Sequence, residues 1–136
     1  MILTDTGPLV ALLDRDDSNH QVCLAIAQRL RAQPLLTTWP CFTEAMYLLG
    51  AVGGYLYQAE LWHLWSDGKL VVHDLTAAEL ERIITLMAKY HDTPMDLADA
   101  SLVAVAENRK FADFFSLDSD FYIYRLANGS VLNLIR

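Results

Sequence analysis

The chain has 136 residues, of which 54% are apolar, and its 17 acidic and 10 basic side chains give a net charge of −7. This length and apolar fraction predict one compact domain over residues 1–136 with a substantial core. The negative charge excludes a protein that attracts nucleic acid through its overall field, so a nucleic-acid role needs a local site. Because the apolar segments are short and the N-terminus lacks a basic stretch followed by an apolar region, we expect a cytoplasmic protein without a signal peptide or membrane span.

The start of the chain predicts a strand, a turn and two helices. Residues 1–5 form an apolar run typical of a buried strand, and a Thr-Gly-Pro turn leads into an apolar helical segment over 9–13. The Asp-Asp-Ser run at 16–18 offers N-caps for a second helix, which extends to about Arg31.

The middle of the chain predicts a strand followed by a helical hairpin. Residues 35–39 form a second short strand, and the next helix bears Glu44 in its first turns. Three glycines at 50–54 interrupt this helix, and a new apolar stripe begins at Tyr57. We therefore expect the two helical segments to fold back on each other.

The remainder of the chain continues the alternation. Residues 69–75 are strand-like, and Thr76 and Glu79 have the spacing of a capping box before the next helix. Thr93-Pro94 is predicted to start another helix, which is nearly all apolar over 97–106. The last strand candidates are 112–117 and 131–135. Strands alternating with helices predict an α/β sandwich around a mainly parallel sheet.

The cysteines and histidines do not predict a zinc or disulfide site. Cys23 and Cys41 lack CxxC spacing and lie in apolar surroundings, which predicts reduced, buried thiols. The histidines have neither HExxH spacing nor an obvious shared helix face. The tryptophans and tyrosines occur at helix and strand spacing, so we interpret them as core or interface side chains rather than base-stacking groups.

Four acids from distant parts of the chain predict a metal site. Asp5 ends the first apolar run, Asp118 ends one of the last, and Glu44 and Asp99 lie at helix-like positions between them. Acids that follow strands meet in the crevice beyond the carboxyl ends of an open α/β sheet. Carboxylates at close quarters repel one another and need a cation, for which Mg²⁺ or Mn²⁺ with oxygen ligands is the natural choice.

Each acid also has a structural interpretation. Asp5 is well placed to cap the following helix, and Glu44 to interact with a helix dipole. Asp99 is the most informative, because an ionised carboxylate within an apolar helix is costly unless a cation or hydrogen bonds satisfy it. Pairing with an arginine is the structural alternative for Asp99, and we favour metal binding. Asp118 follows a strand, where Asp also forms turns.

Four neighbouring residues are candidates for supporting roles. Asp96 lies three residues before Asp99 on the same helix face, where it also suits a helix N-terminus. Asp120 shares the strand-exit loop of Asp118. The hydroxyls of Thr6 and Ser116 are placed to hydrogen-bond a carboxylate, a metal-bound water or a phosphate, although hydroxyls in turns often satisfy backbone groups.

These motifs together resemble the PIN domain, and most of all the small VapC-type toxins of prokaryotic toxin–antitoxin pairs. The likeness covers essentially the whole chain and rests on four short motifs in order. They are Asp5-Thr6-Gly7, Thr43-Glu44, Asp99-Ala100-Ser101 and Ser116-Leu117-Asp118, with Asp120-Phe121 behind the last.

The resemblance implies an α/β/α sandwich and a metal-dependent ribonuclease. The residues that match the family's acids are Asp5, Glu44, Asp99 and Asp118, which would hold one or two Mg²⁺ or Mn²⁺ ions for hydrolysis of RNA. The resemblance also implies a homodimer and a small antitoxin whose segment fills the pocket, often with a basic side chain.

Two other classes of protein stay open. A phosphoacceptor receiver domain also gathers acids around Mg²⁺, but it needs an early acidic pair and a late lysine after a strand, and Lys69, Lys89 and Lys110 do not fit that place. A catalytically silent PIN-like binding module fits the same acids. The sequence also leaves open whether a nuclease of this kind is a toxin or a housekeeping enzyme.

Overall fold

The computed structural model describes residues 1–111 and 113–135, and within them five short strands form one sheet. The strands are β1 (Ile2–Thr4), β2 (Leu35–Thr38), β3 (Leu70–His73), β4 (Asp113–Phe115) and β5 (Asn133–Ile135). Every pairing between neighbours is parallel, and the spatial order is β3-β2-β1-β4-β5. The predicted α/β class with a mainly parallel sheet is confirmed. Ala112, at the start of the predicted strand over 112–117, lies outside the described residues.

The helices alternate with the strands as predicted. They are α1 (Thr6–Leu13), α2 (His20–Arg29), α3 (Trp39–Ser66), α4 (Ala77–Lys89) and α5 (Leu97–Arg109), and a 3-10 turn covers Ser119–Tyr122. In α4 the predicted capping box is present, because Thr76 Oγ1 accepts the Glu79 backbone N–H and Glu79 Oε1 accepts that of Thr76. No described helix has the length and apolar character that a membrane crossing requires.

Helices cover both faces of the sheet because successive strand residues point to opposite sides. Leu3 of β1 and Phe114 of β4 pack in a core cluster with α4 and α5. Their neighbours Ile2 and Phe115 point the other way and pack against α1 and α2. The first half of α3 and β3 extend this second face through a further cluster that includes Leu70. The result is the three-layer sandwich that the resemblance implies.

The predicted helical hairpin is confirmed, with Gly54 as its turn. Gly54 has φ 67° and ψ −157°, a backbone conformation that glycine adopts readily and that interrupts α3. The two halves of α3 lie against each other, since the rings of Phe42 and Trp62 are 5.0 Å apart and the Gln58 amide donates to the Met46 carbonyl at 3.2 Å.

Three predicted helix starts were wrong. Helix α1 begins at Thr6 rather than at residue 9, because Asp5 caps it, so the predicted Thr-Gly-Pro turn is the first turn of the helix. Helix α2 begins at His20, with Asn19 rather than residues 16–18 at the N-cap position, and no side chain caps it. The reason is that Asp17 Oδ1 instead accepts the Asn19 backbone N–H at 2.8 Å and shapes the preceding turn. Helix α5 begins at Leu97 rather than at Thr93-Pro94, because Asp96 caps it.

The order of the strands places the site. The chain moves outward from β1 to β2 and β3 on one side and to β4 and β5 on the other, so the direction of the connections reverses between β1 and β4. In open α/β sheets, ligands bind beyond the carboxyl ends of the strands at such a switch point. Asp5 directly follows β1 and Ser116 directly follows β4, so both lie at this crevice.

Candidate active site

A cavity of about 420 Å³ lies at the carboxyl edge of the sheet and is lined by all six acids that were predicted as site residues. Its walls hold Asp5, Thr6, Gly7, Glu44, Pro94, Asp96, Ala98, Asp99, Leu117, Asp118 and Asp120. A larger cavity of about 550 Å³ is lined mainly by apolar side chains, including Leu12 and Leu64, and has no acid in its wall. We therefore assign the chemistry to the acidic cavity.

Asp5 is both a helix cap and part of the cavity wall. Its carboxylate is only 6% exposed. Oδ1 accepts the Thr6 backbone N–H at 2.7 Å, which caps α1, and Oδ2 accepts the Ser116 hydroxyl at 2.9 Å. Its own backbone N–H donates to the Phe115 carbonyl at 3.0 Å, so the ends of β1 and β4 fix its position.

Asp118 is linked to Asp5 through Ser116. The Ser116 hydroxyl oxygen accepts the Asp118 backbone N–H at 3.0 Å while the hydroxyl donates to Asp5. Asp118 Oδ1 accepts the Asp120 backbone N–H at 2.9 Å and so starts the 3-10 turn. The strand-exit loop thereby presents two acids and a hydroxyl to the same place.

Asp99 enters the cavity from the first turn of α5. We expected it within the apolar helix, but it is the third helical residue and only half-buried, because the helix starts at Leu97. Asp96 Oδ1 accepts the Asp99 backbone N–H at 2.8 Å and so caps α5. This is the structural role that the sequence offered for Asp96 beside a role in the site. Within residues 1–111 and 113–135, the arginine ion pairs are those to Glu60 and Glu107, so Asp99 is not paired with an arginine.

Glu44 reaches the cavity from α3, across from α5. It is the most exposed of the four main candidates. Desolvation at the cavity wall, and then the negative charge of Asp96, raise the pKa of Glu44. The negative charge of Asp96, at the N-cap of α5, therefore acts on Glu44 of α3 across the cavity.

Burial, and after it the crowding of acids, raises the pKa of the two deeper carboxyls. Burial raises the pKa of Asp5 to about 6 despite the hydrogen bonds from Thr6 and Ser116. Burial, then the charges of Asp96 and Asp5, raise the pKa of Asp99 to about 7. Negative charge is therefore costly in this cavity without a cation.

The arrangement suits a hydrated cation better than a closed cage. Among the residues that the structure describes, no three Asp, Glu, His or Cys side chains converge tightly enough to enclose a metal ion. Mg²⁺ usually keeps several waters and takes one or two carboxylates together with substrate phosphate oxygens. An open cavity walled by oxygen donors fits that mode of binding, and its all-oxygen character favours Mg²⁺ or Mn²⁺ over zinc.

Three further kinds of side chain at or near the cavity differ in how well the sequence predicted them. The Thr6 hydroxyl donates to the Cys41 carbonyl at 3.4 Å and not to an acid, although Thr6 lines the cavity. Cys41 and Cys23 are free and buried, as predicted. Sequence reasoning missed Tyr124, whose hydroxyl donates to Asp99 Oδ2 at 3.3 Å. Its one signal was its place in an aromatic run just behind Asp120.

Comparison with known proteins gives the family and the fold. A sequence model of the PIN domain matches residues 2–126, which include all four main acids. No curated protein matches the chain. The crystal structure of Mycobacterium tuberculosis VapC20, described as a sarcin-ricin loop cleaving toxin, is similar with a TM-score of 0.80 and 18% identity, over 90% of this chain and 94% of that chain.

Two toxin–antitoxin structures have the same fold. VapBC2 from Rickettsia felis, bound to a DNA fragment from its promoter, has a TM-score of 0.68 and 15% identity over 99% of this chain and 98% of that chain. A toxin–antitoxin complex from Klebsiella pneumoniae has a TM-score of 0.63 and 19% identity over 89% of this chain and 90% of that chain. At these identities the likeness describes the fold, and the family follows from the sequence match. Because that match spans most of the sequence, the chain belongs to the PIN domain family.

Proposed function

We propose that the chain is a ribonuclease that depends on Mg²⁺ or Mn²⁺ and acts as the toxin of a type II toxin–antitoxin pair. One observation carries the proposal: Asp5, Glu44, Asp99 and Asp118, far apart in sequence, line one cavity at the switch point of the sheet. Membership of the PIN family, and the toxin and toxin–antitoxin names of the similar structures, support it.

The residues have distinct roles in this proposal. Asp5 and Asp99 hold the cation as primary ligands, and Glu44 and Asp118 complete its surroundings or orient its waters. Ser116 fixes the Asp5 carboxylate through the 2.9 Å hydrogen bond, while Asp96 and Asp120 keep the rim of the cavity negative. When bound, the divalent ion supplies a Lewis acid that activates water and stabilises the charge of the scissile phosphate. The acids alone would repel RNA, so substrate binding depends on that ion.

The proposed partners follow from charge and family. An acidic cavity accommodates an arginine side chain, so an antitoxin segment bearing a basic residue would fill it and block the cation ligands. A basic antitoxin segment also complements a chain of net charge −7. We propose a cytoplasmic homodimer as the toxin's working form.

The test is RNA cleavage by the purified chain, compared with an Asp99→Asn variant. We expect cleavage of RNA with Mg²⁺ or Mn²⁺, none with EDTA, and a loss of at least about 100-fold in the variant. An exposed acid outside the cavity provides a matched control, and Asp16→Asn should cut like the wild type.

The second candidate function is a catalytically silent PIN-like binding module, because an intact set of acids does not prove turnover. In that case the wild type, Asp99→Asn and Asp16→Asn proteins would all bind RNA without cutting it under any divalent cation. A housekeeping nuclease would cut RNA but have no cognate antitoxin. In that case, co-expression of the protein from the neighbouring reading frame would not suppress the RNA cleavage.

A further inference from the structure

Tyr124 is a buried tyrosine of the core whose hydroxyl reaches an acid of the cavity. The side chain is 2% exposed, yet its hydroxyl donates to Asp99 Oδ2 at 3.3 Å. Oδ2 also accepts the Asp96 backbone N–H, at 3.4 Å, whereas Oδ1 receives no hydrogen bond from the described part of the chain. The two oxygens of Asp99 are therefore unequal, because Oδ2 accepts two hydrogen bonds and Oδ1 accepts none from the described residues.

The ring of Tyr124 is held so firmly that its hydroxyl has little freedom. It makes edge-to-face contacts with Tyr90 at 5.1 Å and with Phe121 at 5.2 Å between ring centroids. Phe121 in turn packs on Phe114 of β4 at 4.5 Å. The Tyr90 hydroxyl itself accepts the Arg125 backbone N–H at 2.9 Å. The aromatic cluster thus ties the hydroxyl to the sheet.

The segment that carries Tyr124 also carries Asp118. The Tyr124 backbone N–H donates to the Asp120 carbonyl at 3.3 Å, so a backbone hydrogen bond joins the tyrosine directly to the strand-exit segment. Each of the two deeper acids consequently has one hydroxyl partner from the C-terminal part of the chain. The Ser116 hydroxyl donates to Asp5, and the Tyr124 hydroxyl donates to Asp99.

We propose that Tyr124 is a positioning residue that orients the Asp99 carboxylate for cation binding. This inference rests on the proposed function, in which Asp99 is a cation ligand. A hydrogen bond to Oδ2 fixes the rotation of the carboxylate and turns Oδ1 toward the cavity, in the way that outer hydrogen-bond partners orient the ligands of metal sites. Tyr124 does not contact the substrate or the ion itself.

The test is a Mn²⁺ titration of Tyr124→Phe by isothermal calorimetry. Phenylalanine keeps the ring contacts and removes only the hydroxyl, so the fold should stay intact by circular dichroism. We expect the Kd for Mn²⁺ to rise by about 10-fold, the lower end of the effect of removing such a partner. In the RNA assay, the Mn²⁺ concentration for half-maximal rate should rise equally, with little change in kcat at saturating Mn²⁺.

Tyr90→Phe is the matched control, because it removes a hydroxyl of the same aromatic cluster whose hydrogen-bond partner in the described part of the chain is the Arg125 backbone N–H. We expect its Kd for Mn²⁺ to match that of the wild type. In an Asp99→Asn background, Tyr124→Phe should add nothing further, since the orientated carboxylate is already gone.

Three results would overturn the inference: equal Mn²⁺ affinity in Tyr124→Phe and wild type, an equal loss in Tyr90→Phe, or no binding of Mn²⁺ to the wild type. Failure of the proposed function looks different. A wild-type protein that binds Mn²⁺ but cuts no RNA would refute the nuclease. A difference in Mn²⁺ affinity between Tyr124→Phe and Tyr90→Phe would then still support the positioning role.

Discussion

At the scale of single residues, Asp5 caps α1 and is also a proposed cation ligand. A neutral substitution separates these two roles. In Asp5→Asn, the amide oxygen still accepts the Thr6 backbone N–H, and the amide N–H donates to the Ser116 hydroxyl oxygen. The charge crowded against Asp118 and Glu44 is lost. We expect the unfolding free energy of the metal-free variant to be higher than that of wild type, or lower by no more than about 1 kcal/mol. RNA cleavage should fall at least about 100-fold.

Urea unfolding in EDTA and the RNA assay measure the two effects separately. Asp16→Asn, which removes an exposed acid, should change neither quantity. A strong destabilisation of Asp5→Asn, with activity lost only in proportion to unfolded protein, would mean that Asp5 is simply the cap of α1.

The individual acids of the cavity were predictable to the extent that their positions follow from strand ends. Asp5 and Asp118 end apolar runs, and parallel strands bring their carboxyl ends to one edge, so sequence alone placed these two together. Asp99 was selected for a burial that is only partial, since it lies in the first turn of α5. Tyr124 was not predictable, because its approach to Asp99 depends on how the aromatic cluster packs and on no local pattern.

At the scale of elements, the sequence predicts best where the signal is local. The capping box of α4 was predicted from two residues three apart, and the hairpin of α3 from its glycines. The starts of α2 and α5 were wrong because several Asp side chains compete for backbone N–H groups near each start. Which Asp caps the helix depends on the turn before it. Asp17 accepts a backbone N–H within that turn, whereas Asp96 accepts one from the helix itself.

Glu79 should make the stability of the protein depend on pH at the start of α4. Its side chain is 2% exposed. Although burial raises the pKa of Glu79, hydrogen bonds from the Thr76 backbone, His73 and Asn108 lower it overall from its ordinary value of 4.5. A lowered pKa means that the stabilisation is present above pH 4.5 and disappears as the pH falls through the lower, folded value.

We therefore expect the unfolding free energy of wild type to fall on acidification below this range, and to fall less steeply in Glu79→Gln. At neutral pH, Glu79→Ala should cost about 1–3 kcal/mol, because it leaves the helix cap and a buried partner unsatisfied. Urea midpoints between neutral and acidic pH measure this, with Glu81→Gln, an exposed acid of the same helix, as the control. Parallel pH profiles for Glu79→Gln and wild type would contradict it.

Gly54 should be sensitive to substitution because of its positive φ at the turn of the α3 hairpin. A φ of 67° with a ψ of −157° is a region that residues with a Cβ rarely adopt, although nothing lies within 4 Å of the Cβ position. The cost of Gly54→Ala is thus backbone strain rather than a clash, and we expect a loss of about 1–3 kcal/mol in unfolding free energy.

Val52→Ala, at an exposed position two residues earlier, is the control and should change stability by no more than about 0.5 kcal/mol. Denaturant unfolding compares the two variants. If Gly54→Ala were as stable as wild type, the hairpin would tolerate another backbone path at its turn.

At the scale of the whole molecule, the alternation of strands and helices predicted the α/β class, but not the order of the strands. The reversal between β1 and β4 that creates the crevice is a property of the complete sheet, and no single segment encodes it. The family resemblance added what the residues alone did not, namely the chemistry, hydrolysis of RNA, that it implies for the four acids. The same crevice concentrates acids in a chain that is already negative, with a net charge of −7.

A divalent cation should therefore stabilise the folded protein as a whole. The unfolded chain has no assembled cavity, so a cation that binds only the native state raises the unfolding free energy by mass action, by about 2.7 kcal/mol at 100 times the Kd. We expect Mg²⁺ and Mn²⁺ to raise the melting temperature of wild type, EDTA to reverse the rise, and Asp99→Asn to remove most of it. NaCl at equal ionic strength controls for screening, which relieves repulsion at exposed acids without occupying the cavity. A rise of the same size in wild type and Asp99→Asn would place the stabilising cation elsewhere, because the variant keeps every other acid of the molecule.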